Sequence, residues 1–171
     1  MCISAGFWGT APSARYEQRA APFRPLFAHI LAHAAEADQT RASLAPVIQQ
    51  LNVLGLPRWR LPVSYGGQDA TFAELLALLT ELSAADSNIT QALRGHFGFC
   101  EDVLCAKDLD WRAKWPDRLG QGALPSPGST EVGTQTRGAS ETRLHRDADG
   151  TLRISGKKFY TTGALYSDLI N

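Results

Sequence analysis

Apolar side chains recur at three- and four-residue spacing through the first two-thirds of the chain, and this pattern restricts that part to amphipathic helices. The spacing predicts one helix over residues 23–34 and a second over residues 44–54. Thr71 precedes the apolar run of a third helix and Glu74 follows three residues later, which is the pattern of a capping box. A long fourth helix comes next, and a shorter one spans residues 111–119.

The pattern changes after the Pro- and Gly-rich connector at residues 122–128. Residues 140–146 and 151–160 flank a polar turn and are typical of a β-hairpin, and an apolar strand begins again at residues 167–171. Two or three strands cannot bury a sheet face by themselves, so the last part of the sequence resembles an incomplete domain.

We therefore predict an α+β fold, with an N-terminal all-helical domain at 1–121 and an incomplete β-domain at 122–171. The Pro- and Gly-rich loop at 56–70 must be ordered, because it carries four large apolar side chains that need burial. These are Trp59, Leu61, Val63 and Tyr65.

Composition narrows the class of protein. The 171 residues carry 17 basic and 17 acidic side chains, so the formal net charge is zero, which argues against partners bound through bulk charge, such as nucleic acid or a membrane surface. No apolar run approaches the ~20 residues of a membrane span. The first ten residues lack the basic-then-apolar order of a signal peptide. We expect a cytoplasmic protein that binds neither nucleic acid nor membrane.

Histidine and cysteine spacing favours no metal site. His29 and His33 lie on the flank of an apolar stripe, and Cys100 and Cys105 point away from each other on a helix, so neither a disulfide nor a shared metal is expected. His96 differs because it lies inside an apolar stripe. It is either a neutral, hydrogen-bonded core residue or a substrate-pocket residue whose pKa desolvation lowers.

Four short motifs in one order resemble the acyl-CoA dehydrogenase superfamily. RLPVSYGG at 60–67 is similar to its P-x-x-Y-G-G loop, and ELLALLTELSAADSNIT at 74–90 to the helix pair that follows. Ser-Thr-Glu at 129–131 resembles the start of its T-E-P flavin segment. GKKFYTTGALYSDLI at 156–170 resembles G-x-K-x-W-I-T-N-G-x-x-A-D. The similarity covers most of the chain from about residue 15 onward, and it implies that the β-domain is the start of a truncated, β-barrel-like middle domain.

The departures from those motifs point to one branch of the superfamily. Val132 replaces the proline of T-E-P, Tyr160 replaces the tryptophan and Gly163 the asparagine. The resulting K-F-Y-T-T-G-A, together with the Arg-x-His formed by Arg94 and His96, looks like the flavin-dependent monooxygenases of the dibenzothiophene and sulfur-acquisition type.

The resemblance implies a flavin cofactor, FAD or FMN, and candidate residues to bind it. Thr130 would serve the pyrimidine edge of the ring, beside Glu131. Thr162 would serve the N5 and O4 edge through its hydroxyl and N–H, next to Thr161. Tyr160 would lie against the ring. Ordinary β-branched and aromatic strand residues would give the same composition. The predicted catalytic residues are His96 and Thr162.

Three functions stay open at this point. The first is a monooxygenase that uses reduced flavin from a partner reductase and O₂ on a small organic substrate, sulfur-containing or aromatic. The second is a true acyl-CoA dehydrogenase, whose carboxylate base the superfamily supplies from a C-terminal helical domain. The third is a catalytically inactive truncated fragment, acting at most as a helical interaction module. The complete form of either enzyme is expected to be a homo-oligomer.

Overall fold

The computed structural model describes residues 13–133 and 140–171. In this part of the chain, helices come first and short strands follow. The helices are α1 (Ala14–Ala20), α2 (Arg24–Thr40), α3 (Ala45–Val53), α4 (Phe72–Ala85), α5 (Ser87–Cys105), α6 (Leu109–Ala113) and α7 (Pro116–Gly120). The strands are β1 (Pro125–Ser126), β2 (Arg143–Arg146), β3 (Leu152–Ser155) and β4 (Leu169–Ile170). The predicted α+β class is confirmed.

Side-chain caps set the starts of the main helices. The Thr71 hydroxyl accepts a hydrogen bond from the Glu74 N–H, and the Glu74 carboxylate accepts one from the Thr71 N–H, so the predicted capping box at α4 is confirmed. The Asp86 side chain accepts from the Asn88 N–H and begins α5 directly after α4 ends. This short connection makes α4 and α5 antiparallel neighbours.

The helical core forms around Trp59, which is buried in the loop between α3 and α4. Its ring contacts Tyr16 and Phe23 edge-on, with centroid distances of 6.2 and 5.9 Å. The Tyr16 hydroxyl donates to Glu81 over 2.7 Å, which fastens α1, a helix that the spacing pattern did not predict, onto α4. In the described part of the chain, no helix combines the length and the apolar character needed to cross a bilayer.

Only half of the burial predicted for the 56–70 loop is correct. Trp59 and Leu61 are buried, whereas Val63 and Tyr65 are exposed. The loop folds back on itself through hydrogen bonds from Ala70 N–H to the Trp59 carbonyl and from Asp69 N–H to the Leu61 carbonyl. Residues between these bonded positions are therefore lifted outward as a surface turn, which alternation along the sequence could not reveal.

The strands form two small pairs. β2 and β3 pair antiparallel with Leu144 opposite Ile154, so the predicted hairpin is confirmed, although its second strand ends at Ser155 and not near residue 160. β1 and β4 pair parallel, with Pro125 opposite Leu169. The predicted helix over 111–119 is two short helices, α6 and α7, because a proline cannot donate within a helix and Pro116 starts the second one.

Two glycines allow the strand segments to touch α5 closely. A Cβ added at Gly95 would lie 2.2 Å from Cδ of Pro127, directly after β1. A Cβ added at Gly163 would lie 2.1 Å from the carbonyl oxygen of Ala92, one turn earlier on α5. Only glycine fits at either position while the strand segments lie this close to α5. The two contacts together determine where the strand segments pack on the helical part.

We expect Gly95→Ala to destabilise the fold by about 1–3 kcal/mol, because the new methyl group overlaps a rigid pyrrolidine ring. Gly98, on the same helix, has nothing within 4 Å of an added Cβ. Gly98→Ala should stabilise the chain by about 0.5–1 kcal/mol through helix propensity alone. Urea unfolding of the two variants beside the unmodified chain measures the contrast. Equal effects from both substitutions would contradict close packing at Gly95.

Candidate functional site

The candidate site is an edge built from two segments that the fold brings together. The Phe159 N–H donates to the Thr130 carbonyl over 2.8 Å, which aligns residues 129–131 with residues 158–163. We call these two stretches the site edge. Five of the six residues selected from the sequence lie on it, namely Thr130, Glu131, Tyr160, Thr161 and Thr162.

The site edge is fastened to the β1–α5 junction. The Ser126 hydroxyl, at the end of β1, donates to the Thr162 carbonyl over 2.5 Å. Gly163, with φ of 84°, adopts the left-handed conformation and packs against the backbone of α5. The edge therefore takes its position from packed backbone, which is a more rigid support than a free loop provides.

Tyr160 is the unusual residue of the edge. Its φ is 55°, in the left-handed region that costs a non-glycine residue about 1 kcal/mol, and its side chain is 80% exposed. A strained backbone that presents a large exposed aromatic ring is a common mark of a binding site. The sequence indicated Tyr160 through its ring alone and gave no sign of this backbone conformation.

The hydrogen-bond donors of Thr162 are engaged within the chain. Its N–H donates to the Tyr160 carbonyl over 2.8 Å, and its hydroxyl lies 3.4 Å from the same oxygen. In contrast, the N–H groups of Thr161 and Gly163 have no partner in the described part of the chain. The N–H groups that are available to a ligand are therefore those of Thr161 and Gly163. Gly163 is a site residue that the sequence did not suggest.

The Glu131 carboxylate accepts hydrogen bonds from five donors of the chain itself. Oε1 accepts from Lys158 Nζ at 2.6 Å, from the Ser140 hydroxyl at 2.7 Å and from the N–H and hydroxyl of Thr142 at 3.1 and 2.6 Å. Oε2 accepts from the Glu141 N–H at 2.5 Å. Hydrogen bonds from Lys158, Thr142 and Ser140 hold the pKa of Glu131 well below its usual range. The predicted cofactor contact of Glu131 stays a prediction, and four of the five hydrogen bonds to this carboxylate go to Oε1.

His96 is placed away from the site edge, in the core. Its side chain is only 2% exposed, and Nε2 donates to the Pro57 carbonyl over 2.8 Å. Cys100 Sγ lies 3.4 Å from the same nitrogen. Burial lowers the pKa of His96 to about 4 and raises the pKa of the Cys100 thiol to about 12, so both groups are neutral near pH 7. They form no ion pair, and an activated thiolate is not favoured.

A groove of about 620 Å³ lies between α4 and α5 on the outside of the helical part. Its wall is mostly apolar and includes Phe72, Leu75, Leu76, Leu79 and Phe97. Three charged residues of α5, Arg94, Glu101 and Asp102, also line it. Glu101 is paired with Arg60 through two contacts of 2.5 and 2.8 Å, whereas Arg94 has no ion pair within the described residues. Arg94 immediately precedes Gly95, so the groove and the site edge meet the same helix.

The donor set of the site edge fits the flavin that the resemblance implies. Within the described residues, the hydroxyls of Thr130 and Thr161 have no partner, and the free N–H groups of Thr161 and Gly163 lie beside them. The exposed ring of Tyr160 adds an apolar surface. An isoalloxazine needs this combination of an apolar support and a few donors along one edge.

Comparison with known proteins gives a family and a fold. A family model described as the acyl-CoA dehydrogenase N-terminal domain matches residues 19–115. The crystal structure of nitrososynthase from Micromonospora carbonacea var. africana matches with a TM-score of 0.67 and 20% identity, over 86% of this chain and 38% of that chain. A structure titled Tcur3481-Tcur3483 steroid ACAD matches with a TM-score of 0.60 and 24% identity, over 93% of this chain and 42% of that chain.

At such identities, the two solved structures establish the fold alone. This chain spans about two-fifths of the length of each of them. No curated protein matches the chain.

The buried neutral His96 makes stability depend on pH in a defined direction. Its pKa is about 4 in the folded chain and near 6.5 when unfolded, so its full contribution is present above pH 6.5 and is lost as the pH falls toward 4. Between pH 7 and 4.5, we expect about 2 kcal/mol more loss of unfolding free energy in the unmodified chain than in His96→Gln.

Urea unfolding at the two pH values measures this difference. The matched control is His33→Gln, which replaces an exposed histidine on α2, outside the core, by the same residue. If His96→Gln lost stability on acidification just as the unmodified chain does, a protonated His96 would have to be tolerated in the fold.

Proposed function

The chain belongs to the acyl-CoA dehydrogenase N-terminal domain family, and on that premise we propose that it forms the helical part and the first flavin-facing segments of a flavin-dependent oxidoreductase. The observation that carries this proposal is the site edge. Residues 129–131 and 158–163 are aligned by a backbone hydrogen bond and fastened to α5, with Tyr160 exposed and hydrogen-bond donors left unpaired. A chain that needed these segments only for packing would not require a strained, exposed aromatic residue.

Different residues of the site edge would contact different parts of the flavin ring. The Thr130 hydroxyl would serve the pyrimidine end, and the N–H groups of Thr161 and Gly163 would serve the N5 and O4 side. The Tyr160 ring would lie against the isoalloxazine. Thr162 would act by orienting these donors, because its own N–H and hydroxyl are already directed at the Tyr160 carbonyl. When bound, the flavin would supply two-electron redox chemistry.

The chain's own contribution to substrate binding would be the groove between α4 and α5. Its apolar wall would exclude water from a small organic molecule, sulfur-containing or aromatic, and its unpaired Arg94 would attract an anionic or polar group on that molecule. His96 would support the groove indirectly, because its hydrogen bond to Pro57 joins α5 to the loop that precedes α4.

Within the superfamily, we favour the monooxygenase branch over dehydrogenation. The support is the sequence at Tyr160 and Gly163 and the Arg-x-His on α5. The two branches separate experimentally. If a flavin reductase supplies reduced flavin to the protein and the complex then consumes O₂, the monooxygenase is supported. If an acyl-CoA bleaches the oxidised flavoprotein, the dehydrogenase is supported.

Titration with FAD and with FMN tests the proposed cofactor site directly. We expect quenching of flavin fluorescence by the unmodified chain and an affinity about tenfold weaker in Tyr160→Ala, because the ring contact is lost. Tyr65→Ala is the matched control, since Tyr65 is also an exposed tyrosine but lies in the 56–70 loop. Absence of any flavin binding would favour the alternative of an inactive fragment. Equal affinities of the two variants would remove Tyr160 from the site.

The groove can be tested with an aromatic anion, 8-anilinonaphthalene-1-sulfonate. We expect its fluorescence to rise on binding and Leu76→Glu to reduce the binding at least fivefold, because a carboxylate in the apolar wall would repel the sulfonate of the dye. Val53→Glu, which changes another exposed apolar residue outside the groove, serves as the control. Retention of dye binding by Leu76→Glu would show that the dye uses a different surface.

A further inference from the structure

Glu131 has more hydrogen-bond partners than a surface carboxylate needs. Its side chain is only 7% exposed, and its two oxygens accept five hydrogen bonds from four residues. A carboxylate with so many donors stays ionised, and most of its hydrogen-bonding capacity is used by groups of the chain itself. The role of Glu131 is therefore inferred from the chain segments that its hydrogen bonds connect.

Glu131 and its partners belong to three separate stretches of chain. Glu131 itself follows β1, its partners Ser140, Glu141 and Thr142 precede β2, and Lys158 follows β3. One carboxylate thus ties the exit of the first strand to both ends of the β2–β3 hairpin. The neighbouring Gly156 reinforces this junction, because a Cβ there would lie 2.3 Å from the Thr142 hydroxyl oxygen.

Lys158 completes the junction from the opposite segment. Its Nζ lies 2.6 Å from Glu131 Oε1 and 3.4 Å from the Ser129 carbonyl, and its side chain is 28% exposed. The adjacent residue, Phe159, donates its N–H to the Thr130 carbonyl. The ion pair and the backbone hydrogen bond are therefore successive contacts between the same two segments, and each holds the other in register.

We propose that Glu131 and Lys158 form a positioning pair that aligns the two halves of the site edge, so that Thr130 and the Tyr160–Gly163 turn face one flavin together. The inference rests on the proposed function for the identity of the ligand. It assigns both Glu131 and Lys158 a role behind the binding surface. Neither residue contacts the flavin, and neither is a catalytic residue.

The sequence supplies a matched control in Lys157. It is the neighbouring lysine, it is exposed, and it has no ion pair in the described part of the chain. Lys157→Met and Lys158→Met therefore remove the same charge one residue apart. Lys158→Arg keeps a cation in the pair and tests rescue.

The first measurement is the affinity for FAD and FMN, taken by fluorescence titration well below the unfolding temperature of each variant. We expect Lys158→Met and Glu131→Gln to weaken binding at least about tenfold, and Lys158→Arg to stay within about threefold of the unmodified chain. The double variant should be no weaker than either single one, because the pair acts as a unit. Lys157→Met should not change the affinity. Losses that are equal for Lys157→Met and Lys158→Met would overturn the proposal.

The second measurement needs no flavin and separates the pair from the proposed function. Amide hydrogen exchange at Phe159 reports the alignment of the two segments, since that N–H is bonded to Thr130. We expect exchange at Phe159 to accelerate at least tenfold in Lys158→Met and in Glu131→Gln but not in Lys157→Met. If the unmodified chain binds no flavin, the proposed function fails and this exchange still decides the pair. Unchanged exchange at Phe159 in both pair variants would refute it.

Discussion

The contact between α5 and the strand segments determines the rest of the candidate site. It is made by backbone on backbone and ring on backbone, with Gly95 against Pro127 and Gly163 against the Ala92 carbonyl. Such contacts leave no room for an extra carbon atom, so the site edge lies directly against the helical part. The groove lies along the same helix, because Arg94 precedes Gly95. One helix therefore carries the support for the edge on one side and a wall of the groove on another.

Electrostatics inside this arrangement follow from whether a buried group has a charged partner. His96 is surrounded by apolar residues, with a carbonyl and a thiol as its polar contacts, and the desolvation of a cation lowers its pKa to about 4. Glu131 has a side chain that is only 7% exposed, but it faces Lys158 and four neutral donors, and hydrogen bonds from them lower its pKa so that it stays ionised. Two polar side chains chosen from the sequence for the same site thus have opposite characters. The neutral one belongs to the core, and the charged one belongs to a junction between chain segments.

Local rules predicted the parts of this fold that depend on neighbours in sequence. The capping box at Thr71 and the hairpin turn before β3 are set by residues three or four positions apart, and both agree with the structure. Rules of this kind fail where distant segments decide. Glu131 forms an ion pair with Lys158, 27 positions later, and no pattern among neighbouring residues indicates this contact. Val63 and Tyr65 are apolar enough to be buried, but a hydrogen bond from the Asp69 N–H to the Leu61 carbonyl closes the loop on either side of them, and both are exposed. The N–H of Thr162 donates to the Tyr160 carbonyl because Tyr160 adopts a left-handed backbone conformation. The type of residue at position 160 does not predict that conformation.

The parallel pairing of β1 with β4 also has a consequence for the order of folding. Pro125 meets Leu169 across a loop of more than forty residues, and the Tyr160 turn lies inside that loop. Closing a loop of this length costs conformational entropy before any of its contacts is gained, so local helices form earlier. During synthesis on the ribosome, the helical part can assemble while β4 is still inside the exit tunnel. The edge would then acquire its shape only after residues 169 and 170 have emerged and paired with β1.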